Sequence, residues 1–120
     1  MTAAAIRVLI VEDEPLIAMF IEDTLIEMGH EVGLVATRLD DALRAAETGT
    51  FGFAIIDLNL DGAPTYPVAD ILKARGIPFV FATGFGAAGL DPAHVGAAAL
   101  QKPFTQAELH AALTRATASK

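Results

Sequence analysis

The sequence has no cysteine, no tryptophan and few basic residues. Without cysteine there are no disulfides, no thiolate metal ligands and no thiol nucleophile, which fits a reducing compartment. Eight Lys and Arg stand against 15 Asp and Glu, so the formal net charge is −7 and the pI is about 4.7. Because binding to nucleic acids and anionic membranes requires clustered positive charge, this acidic balance predicts neither as a partner.

Long apolar runs are also missing. The apolar start of the chain is short and ends at acidic residues 12–14, unlike a signal peptide. No uninterrupted apolar run approaches the roughly 20 residues of a membrane span, so a cytoplasmic location is expected. The 120 residues are 53% hydrophobic and 7% aromatic. This composition predicts one domain over residues 1–120 with a core of mainly aliphatic side chains.

Short β-branched or aromatic runs alternate with segments of helical period along the whole chain. The predicted strands are 6–11, 31–37, 51–58, 77–83 and, more weakly, 96–102. The predicted helices are 14–29, 39–49, 68–76 and 105–119. Segment 84–95, with three glycines and a proline, is predicted to be a loop with at most a short helix. This alternation predicts an α/β fold, a doubly wound five-stranded parallel sheet with helices on both faces.

Polar residues stand at the predicted carboxyl ends of four strands: Glu12 and Asp13, Asp57, Thr83, and Lys102. Each has a simple explanation when it is taken alone. Glu12 and Asp13 could be acids at a helix N-terminus, and Asp57 could be a turn former. In a parallel sheet, however, all five side chains emerge at the edge where ligands bind, and this joint placement is hard to obtain by accident.

Crowded carboxylates repel one another unless a cation lies among them. Mg²⁺ prefers oxygen ligands in octahedral geometry and keeps several waters, so two carboxylates and a backbone carbonyl would leave room for a phosphoryl oxygen. The Lys102 ammonium could balance a second phosphoryl oxygen, and the Thr83 hydroxyl could donate to a third. The pattern therefore indicates a phosphoryl-transfer site with a carboxylate nucleophile.

Four motifs carry a resemblance to a known family. "VLIVEDEP", "AIIDLNLDG", "FATG" and "LQKPF" follow one another in this order, and they resemble the response-regulator receiver domains, the CheY-like family of two-component signalling. The resemblance covers essentially the whole chain. It implies a flavodoxin-like (βα)5 fold with strand order 2-1-3-4-5.

The resemblance also implies roles. Asp57 would accept a phosphoryl group from a phosphohistidine of a sensor histidine kinase or histidine phosphotransfer protein. Asp13, Asp57 and the Asn59 backbone carbonyl would hold Mg²⁺, and Glu12 would act through a coordinated water. Such a protein is not a turnover enzyme, since it loses its phosphoryl group slowly. With no output domain expected, it would signal by binding a downstream protein.

Lys102 would pair first with the acceptor carboxylate and then with the phosphate, and Thr83 would move toward the phosphate. The family pattern also predicts a cis Lys102–Pro103 bond. Many receivers carry Tyr or Phe where this sequence has Ala99. "PFVFATGFG" (78–86) is similar to a Phe-Ala-Thr-Gly-hydrophobic-Tyr motif of α-proteobacterial single-domain regulators, with Gly86 in place of Tyr. We therefore hypothesise that the Gly-rich segment 84–89 replaces the missing ring as the mobile element.

Two alternatives stay open. A phosphatase with an aspartyl-phosphate intermediate normally has a second Asp two residues after the first, where this sequence has Asn59. A flavodoxin-type flavin module would need a phosphate loop after the first strand, where the acidic 12–14 segment would repel phosphate. His30, His94 and His110 lack metal-ligand spacing and are expected to be solvated or structural. Tyr66 is expected to be a packed loop aromatic, with a partner contact as the alternative.

Overall fold

The computed structural model describes residues 5–84, 89–94 and 97–118. In chain order its elements are β1 (Arg7–Val11), α1 (Pro15–Glu27), β2 (Glu31–Ala36), α2 (Leu39–Thr48), β3 (Phe53–Asp57), β4 (Asn59–Leu60), β5 (Ala63–Pro64), α3 (Tyr66–Ala74), β6 (Phe79–Thr83), a short 3₁₀ helix (Pro92–His94), β7 (Ala99–Gln101) and α4 (Gln106–Ala118). Among these helices, none combines the length and the apolar character needed to cross a bilayer.

Five of the strands form one parallel sheet in the order β2-β1-β3-β6-β7. If only the strands of this sheet are counted, the order is 2-1-3-4-5, and the predicted fold is confirmed. The register places Asp57 opposite Ala82 and Thr83 opposite Gln101. The carboxyl ends of β3, β6 and β7 therefore lie side by side.

Alternate residues of the central strands bury opposite faces of the sheet, as the two-residue period of a strand requires. On one face, residues such as Leu9 and Ile56 pack against α2 and α3. On the other face, Ile10 and Ile55 pack with side chains of α1 and α4. Because both faces are covered, the central strands β1, β3 and β6 are apolar over most of their length, which is typical of parallel sheets.

The ends of the helices agree closely with the sequence. Pro15 begins α1, and Gly29 beyond its end has a φ of 86°, a left-handed conformation that suits glycine. A capping box precedes α4, as the sequence Thr-Gln-Ala-Glu at positions 105–108 favours. The Thr105 N–H donates to Glu108 Oε1 at 2.8 Å, and the Glu108 N–H donates to Thr105 Oγ1 at 3.1 Å. The predicted cis bond at Lys102–Pro103 is also present.

Two differences from the expected elements lie between Asp57 and α3. The helix expected at 68–76 begins earlier, at Tyr66, because Pro67 fits a first helical turn. The segment between the third predicted strand and this helix, for which no strand was predicted, contains the antiparallel hairpin β4–β5. Its turn residues Asp61 and Gly62 have φ values of 49° and 85°. An Asp-Gly pair is a strong hairpin signal because a type I′ turn requires positive φ at both positions. The hairpin was therefore predictable from the sequence, although it was not predicted.

Part of the segment after β6 falls outside the described residues. Positions 85–88 and 95–96 belong to this part, so the hypotheses about Gly86 and a mobile 84–89 segment stay predictions. The described remainder contains the short 3₁₀ helix, in line with the expected loop with at most a short helix. The weakly predicted fifth strand is real but shorter than expected, and within it Ala99 pairs with Phe81.

Candidate functional site

Charged side chains from three strand ends meet at one edge of the sheet. Glu12 and Asp13 follow β1, and Asp57 ends β3. Each of these three carboxylates offers an oxygen, and the three oxygens lie within 4.8 Å of one another. Lys102, one residue beyond β7, places Nζ 2.9 Å from Glu12 Oε1 and 3.4 Å from Asp57 Oδ1. The structure thus gathers four of the six site residues suggested by the sequence into one group, which we call the acidic site.

Thr83 and Asn59 border the acidic site. Thr83 ends β6 and is buried, and its carbonyl accepts the Lys102 N–H at 2.8 Å. Since the neighbouring residue Ala82 pairs with Asp57, Thr83 lies on the strand next to the carboxylate. Asn59 is exposed, and its backbone N–H donates to Asp57 Oδ1 at 3.4 Å. The roles that the sequence suggests for these two residues stay predictions.

Glu12 is the most deeply buried acid of the group, with 1% of its surface exposed. Its Oε2 accepts the Glu14 N–H at 3.1 Å, and its Oε1 accepts from Lys102. Burial raises the pKa of the Glu12 carboxyl, and the negative charge of Asp57 raises it further, while the hydrogen bond from Lys102 opposes both. The hydrogen bond from Lys102 is therefore the contact that most strongly opposes protonation of this buried carboxyl.

Burial and neighbouring charges also act on the pKa of Lys102, where burial has the opposite effect because the side chain is a cation. Burial by itself would lower the pKa of the Lys102 ammonium, but the hydrogen bond to Glu12 and the charges of Asp57 and Glu12 outweigh burial. The resulting pKa lies above the ordinary value for lysine. Lys102 therefore remains a positive charge at every physiological pH.

The donor set of the acidic site fits a hard divalent cation. Three carboxylates face one ammonium, so two formal negative charges remain uncompensated among these four groups. Oxygen ligands and excess negative charge are what Mg²⁺ selects. The hairpin also reaches this group, since the Asp61 N–H donates to Asp13 Oδ2 at 2.9 Å.

Thr65 also belongs to this region, although no role was predicted for it from the sequence. It is fully buried, and its hydroxyl lies 2.7 Å from the Asp57 carbonyl oxygen and 3.0 Å from that of Leu58. A Thr just before a Tyr-Pro helix start could have been identified as a capping residue. Its contact with the backbone of Asp57, eight positions earlier, depends on the hairpin between them.

A second charged group lies between the 3₁₀ helix and α3, and we call it the His94 cluster. His94 Nδ1 is 2.6 Å from Asp91 Oδ1, and His94 Nε2 is 2.9 Å from Asp70 Oδ1. The hydrogen bonds with Asp70 and Asp91 raise the pKa of His94. The imidazole stacks on Tyr66 with ring centres 4.3 Å apart, and the Tyr66 hydroxyl accepts the Asp91 N–H at 2.7 Å.

The His94 cluster bears out two expectations from the sequence. His94 is a structural histidine, and Tyr66 is a packed aromatic, although it belongs to the first turn of α3 rather than to a loop. Tyr66 also meets Phe81 edge to face at 5.6 Å. His30 is structural as well, because its Nδ1 accepts the Ile6 N–H at 3.0 Å.

The fold and the acidic site agree with one family. The sequence model described as "Response regulator receiver domain" matches residues 8–114, and the chain belongs to this family. Receiver domains are signalling modules that work with histidine kinases and downstream proteins rather than as turnover enzymes. The family match gives no support to the phosphatase alternative.

Individual relatives lie within the same family. The chain is 35% identical over 120 residues to the phyllosphere-induced regulator PhyR of Methylorubrum extorquens, covering 93% of this chain and 43% of that protein. The solution structure of SdrG from Sphingomonas melonis Fr1 is 43% identical, with a TM-score of 0.79, covering 93% of this chain and 98% of that chain. This chain thus spans less than half the length of the curated relatives that it matches.

A third relative bears on the metal. The receiver domain of the sensor histidine kinase PA1611 from Pseudomonas aeruginosa PAO1 is 27% identical, with a TM-score of 0.79, covering 96% of this chain and 99% of that chain. That crystal structure is described as having a magnesium ion coordinated in the active site cleft. A receiver of this fold can therefore hold Mg²⁺, and the acidic site described above has suitable donors.

Proposed function

We propose that this chain, as a receiver domain over residues 1–120, accepts a phosphoryl group on Asp57 from a phosphohistidine. The donor is a sensor histidine kinase or a histidine phosphotransfer protein in the cytoplasm. The observation that carries the proposal is the position of the Asp57 carboxylate. It lies 3.4 Å from the Lys102 ammonium and within a cluster of three carboxylates at the carboxyl edge of the sheet.

In the transfer, an oxygen of Asp57 forms a bond to phosphorus while the bond from phosphorus to the donor's imidazole nitrogen breaks. The imidazole takes the electron pair of that bond. Lys102 neutralises charge on the phosphoryl oxygens as a point charge, and its 3.4 Å contact places it beside the attacking carboxylate. Such a reaction needs mainly positioning and charge neutralisation, which explains why so few residues suffice.

The residues that would hold Mg²⁺ are Asp13, Asp57 and the Asn59 backbone carbonyl, with Glu12 acting through a coordinated water. When bound, Mg²⁺ would neutralise the carboxylates and the incoming phosphoryl oxygens. Thr83 is proposed to turn its hydroxyl toward the phosphoryl group. This movement would report the modification to the surface near β6 and β7, where a downstream protein would bind.

A partner that brings a phosphohistidine to Asp57 must dock beside the acidic site. Helix α1 begins two residues after Asp13, and it exposes Leu16 (79%), Met19 and Phe20 to solvent. A run of exposed apolar side chains supports a protein contact. We expect Leu16→Glu to slow transfer from the phosphodonor protein but not from acetyl phosphate. Leu34→Glu, which alters an exposed leucine in a groove lined by α2, should change neither rate.

The function is tested by intact mass measurement after incubation with acetyl phosphate, with and without Mg²⁺. The wild type should gain one phosphoryl group, about 80 Da, only when Mg²⁺ is present. Asp57→Asn should gain none, and Asp70→Asn, which alters an exposed carboxylate outside the acidic site, should behave like wild type. An adduct on Asp57→Asn, or rapid release of phosphate over many turnovers, would overturn the proposal.

A further inference from the structure

A buried threonine, Thr65, closes the open end of the β4–β5 hairpin through hydrogen bonds to the end of β3 and the residue after it. The Thr65 hydroxyl donates to the carbonyl oxygens of Asp57 at 2.7 Å and Leu58 at 3.0 Å. The Thr65 backbone N–H also donates to the Leu58 carbonyl at 3.0 Å. With none of its surface exposed, Thr65 makes these contacts away from competing water.

The hairpin that Thr65 closes supplies two backbone contacts to the acidic site. The Asn59 N–H donates to Asp57 Oδ1, and the Asp61 N–H donates to Asp13 Oδ2. Both amides lie between Asp57 and Thr65 in the chain. The hydrogen bond from Thr65 to the backbone of Asp57 therefore determines the path of the hairpin residues whose amides reach the carboxylates.

Capping does not explain the direction of the Thr65 hydroxyl. A Thr before the first turn of a helix usually accepts a hydrogen bond from an amide of that helix. Here the hydroxyl donates backward to two carbonyls at the end of β3. The start of α3 is held by the main chain instead, since the Thr65 carbonyl accepts the Val68 N–H at 3.0 Å and the Ala69 N–H at 3.3 Å.

We propose that Thr65 is a positioning residue, whose hydroxyl holds the backbone from Asp57 to Asp61 in the geometry that binds the cation and presents the acceptor carboxylate. This inference rests on the proposed function, since it concerns the same site. Thr65 acts through the peptide groups of Asp57 and Leu58 and touches neither the cation nor the phosphoryl group. Loss of its hydroxyl should loosen the site while the sheet and the helices remain.

The test compares variants that differ in one group. Thr65→Val removes the hydroxyl and keeps the shape, and Thr65→Ser keeps the hydroxyl. Thr117→Val is a matched control, because the Thr117 hydroxyl also donates to a carbonyl, that of Leu113 at 2.9 Å, but on α4.

Mg²⁺ alone is titrated into each protein and followed by amide chemical shifts, and phosphorylation by acetyl phosphate is then measured at saturating Mg²⁺. If Thr65→Val does not fold, Thr65→Ala is compared with Thr65→Ser.

We expect Thr65→Val to weaken Mg²⁺ binding by about 10-fold or more, the usual effect of removing a group that orients metal ligands. Thr65→Ser and Thr117→Val should bind Mg²⁺ as wild type does. The inference is overturned if Thr65→Val binds as wild type, if Thr65→Ser loses as much affinity, or if Thr117→Val does. If the wild type neither binds Mg²⁺ nor takes up the phosphoryl group, the proposed function fails, and the role of Thr65 fails with it.

Discussion

In both the acidic site and the His94 cluster, one basic side chain contacts two carboxylates, but the two groups lie in different environments. Lys102 lies between Glu12 and Asp57, and the exposed fractions of these two acids are 1% and 14%. His94 lies between Asp70 and Asp91, whose exposed fractions are 65% and 40%. The first group joins the ends of three strands, and the second joins a short 3₁₀ helix to α3.

The difference between the two groups shows what burial adds to an ion pair. In the acidic site, burial is the largest influence on the pKa of both Glu12 and Lys102, and each of the two groups favours the charged form of the other. In the His94 cluster, hydrogen bonds with Asp70 and Asp91 are the largest influences and raise the pKa of the histidine, and both acids are exposed to solvent. The acidic site should therefore be costly to break, and the His94 cluster should be inexpensive to break but sensitive to pH.

The largest effect is expected for Lys102→Met. This change leaves the buried Glu12 carboxylate without its cation, so we expect the free energy of unfolding at pH 7 to fall by about 3 kcal/mol. Part of the loss should return as the pH is lowered, because protonation of Glu12 removes the uncompensated charge. Urea denaturation at several pH values measures both effects. A loss that stays the same between pH 7 and pH 5 would contradict the explanation.

The second largest effect is expected from the binding of Mg²⁺ to the acidic site. At ten times its dissociation constant, Mg²⁺ should raise the free energy of unfolding of the wild type by about 1.4 kcal/mol through binding to the folded state. Asp13→Asn should lose most of this gain. Asp70→Asn, in the His94 cluster, should keep it. Thermal unfolding with and without Mg²⁺ measures the gain, and an equal loss in both variants would show that the ion does not select the acidic site.

A smaller effect is expected for His94→Gln. The acids of this cluster are largely exposed, so its ion pairs should contribute no more than about 1 kcal/mol to the free energy of unfolding at pH 6. Urea denaturation of His94→Gln beside Lys102→Met compares the two groups directly. A loss as large as that of Lys102→Met would mean that burial is not what separates the two groups.

The smallest effect is expected in how the free energy of unfolding depends on pH, where the contributions of His94 and His30 should change in opposite directions. The folded state raises the pKa of His94, so its contribution is complete below the unfolded value of about 6.5 and is lost as the pH rises through the folded pKa. Burial, with a smaller effect of His110, lowers the pKa of His30, so its contribution is present above about 6.5 and is lost as the pH falls through the folded pKa.

Unfolding free energies of wild type, His94→Gln and His30→Gln between pH 5 and 9 measure this difference. The loss caused by His94→Gln should shrink as the pH rises, and the loss caused by His30→Gln should grow. Two curves with the same slope would show that the contacts of His94 with Asp70 and Asp91 do not control its titration.

The two groups were not equally predictable from sequence. Glu12, Asp13, Asp57 and Lys102 were found because each stands at the carboxyl end of a predicted strand, and parallel strands bring their carboxyl ends to one edge. The His94 cluster was not found, because Tyr66 and Asp70 belong to α3 and His94 to a segment more than twenty residues later. Their pairing depends on how the connection after β6 lies over α3, and no periodic pattern in the chain carries that information.

The region after Asp57 also contains one feature that the sequence could predict and one that it could not. Asp61-Gly62 was a readable turn signal, but the position of the Thr65 hydroxyl was not, because it depends on where the hairpin ends relative to β3. Sequence by itself determined the alternation of strands and helices, the capping box of α4 and the residues at the strand ends, since these follow from local preferences and from the periods of helix and strand. Only the tertiary structure showed that Lys102 also contacts Glu12, that His94 contacts Asp70, and how deeply each of these pairs is buried, because all three depend on distances between segments remote in the chain.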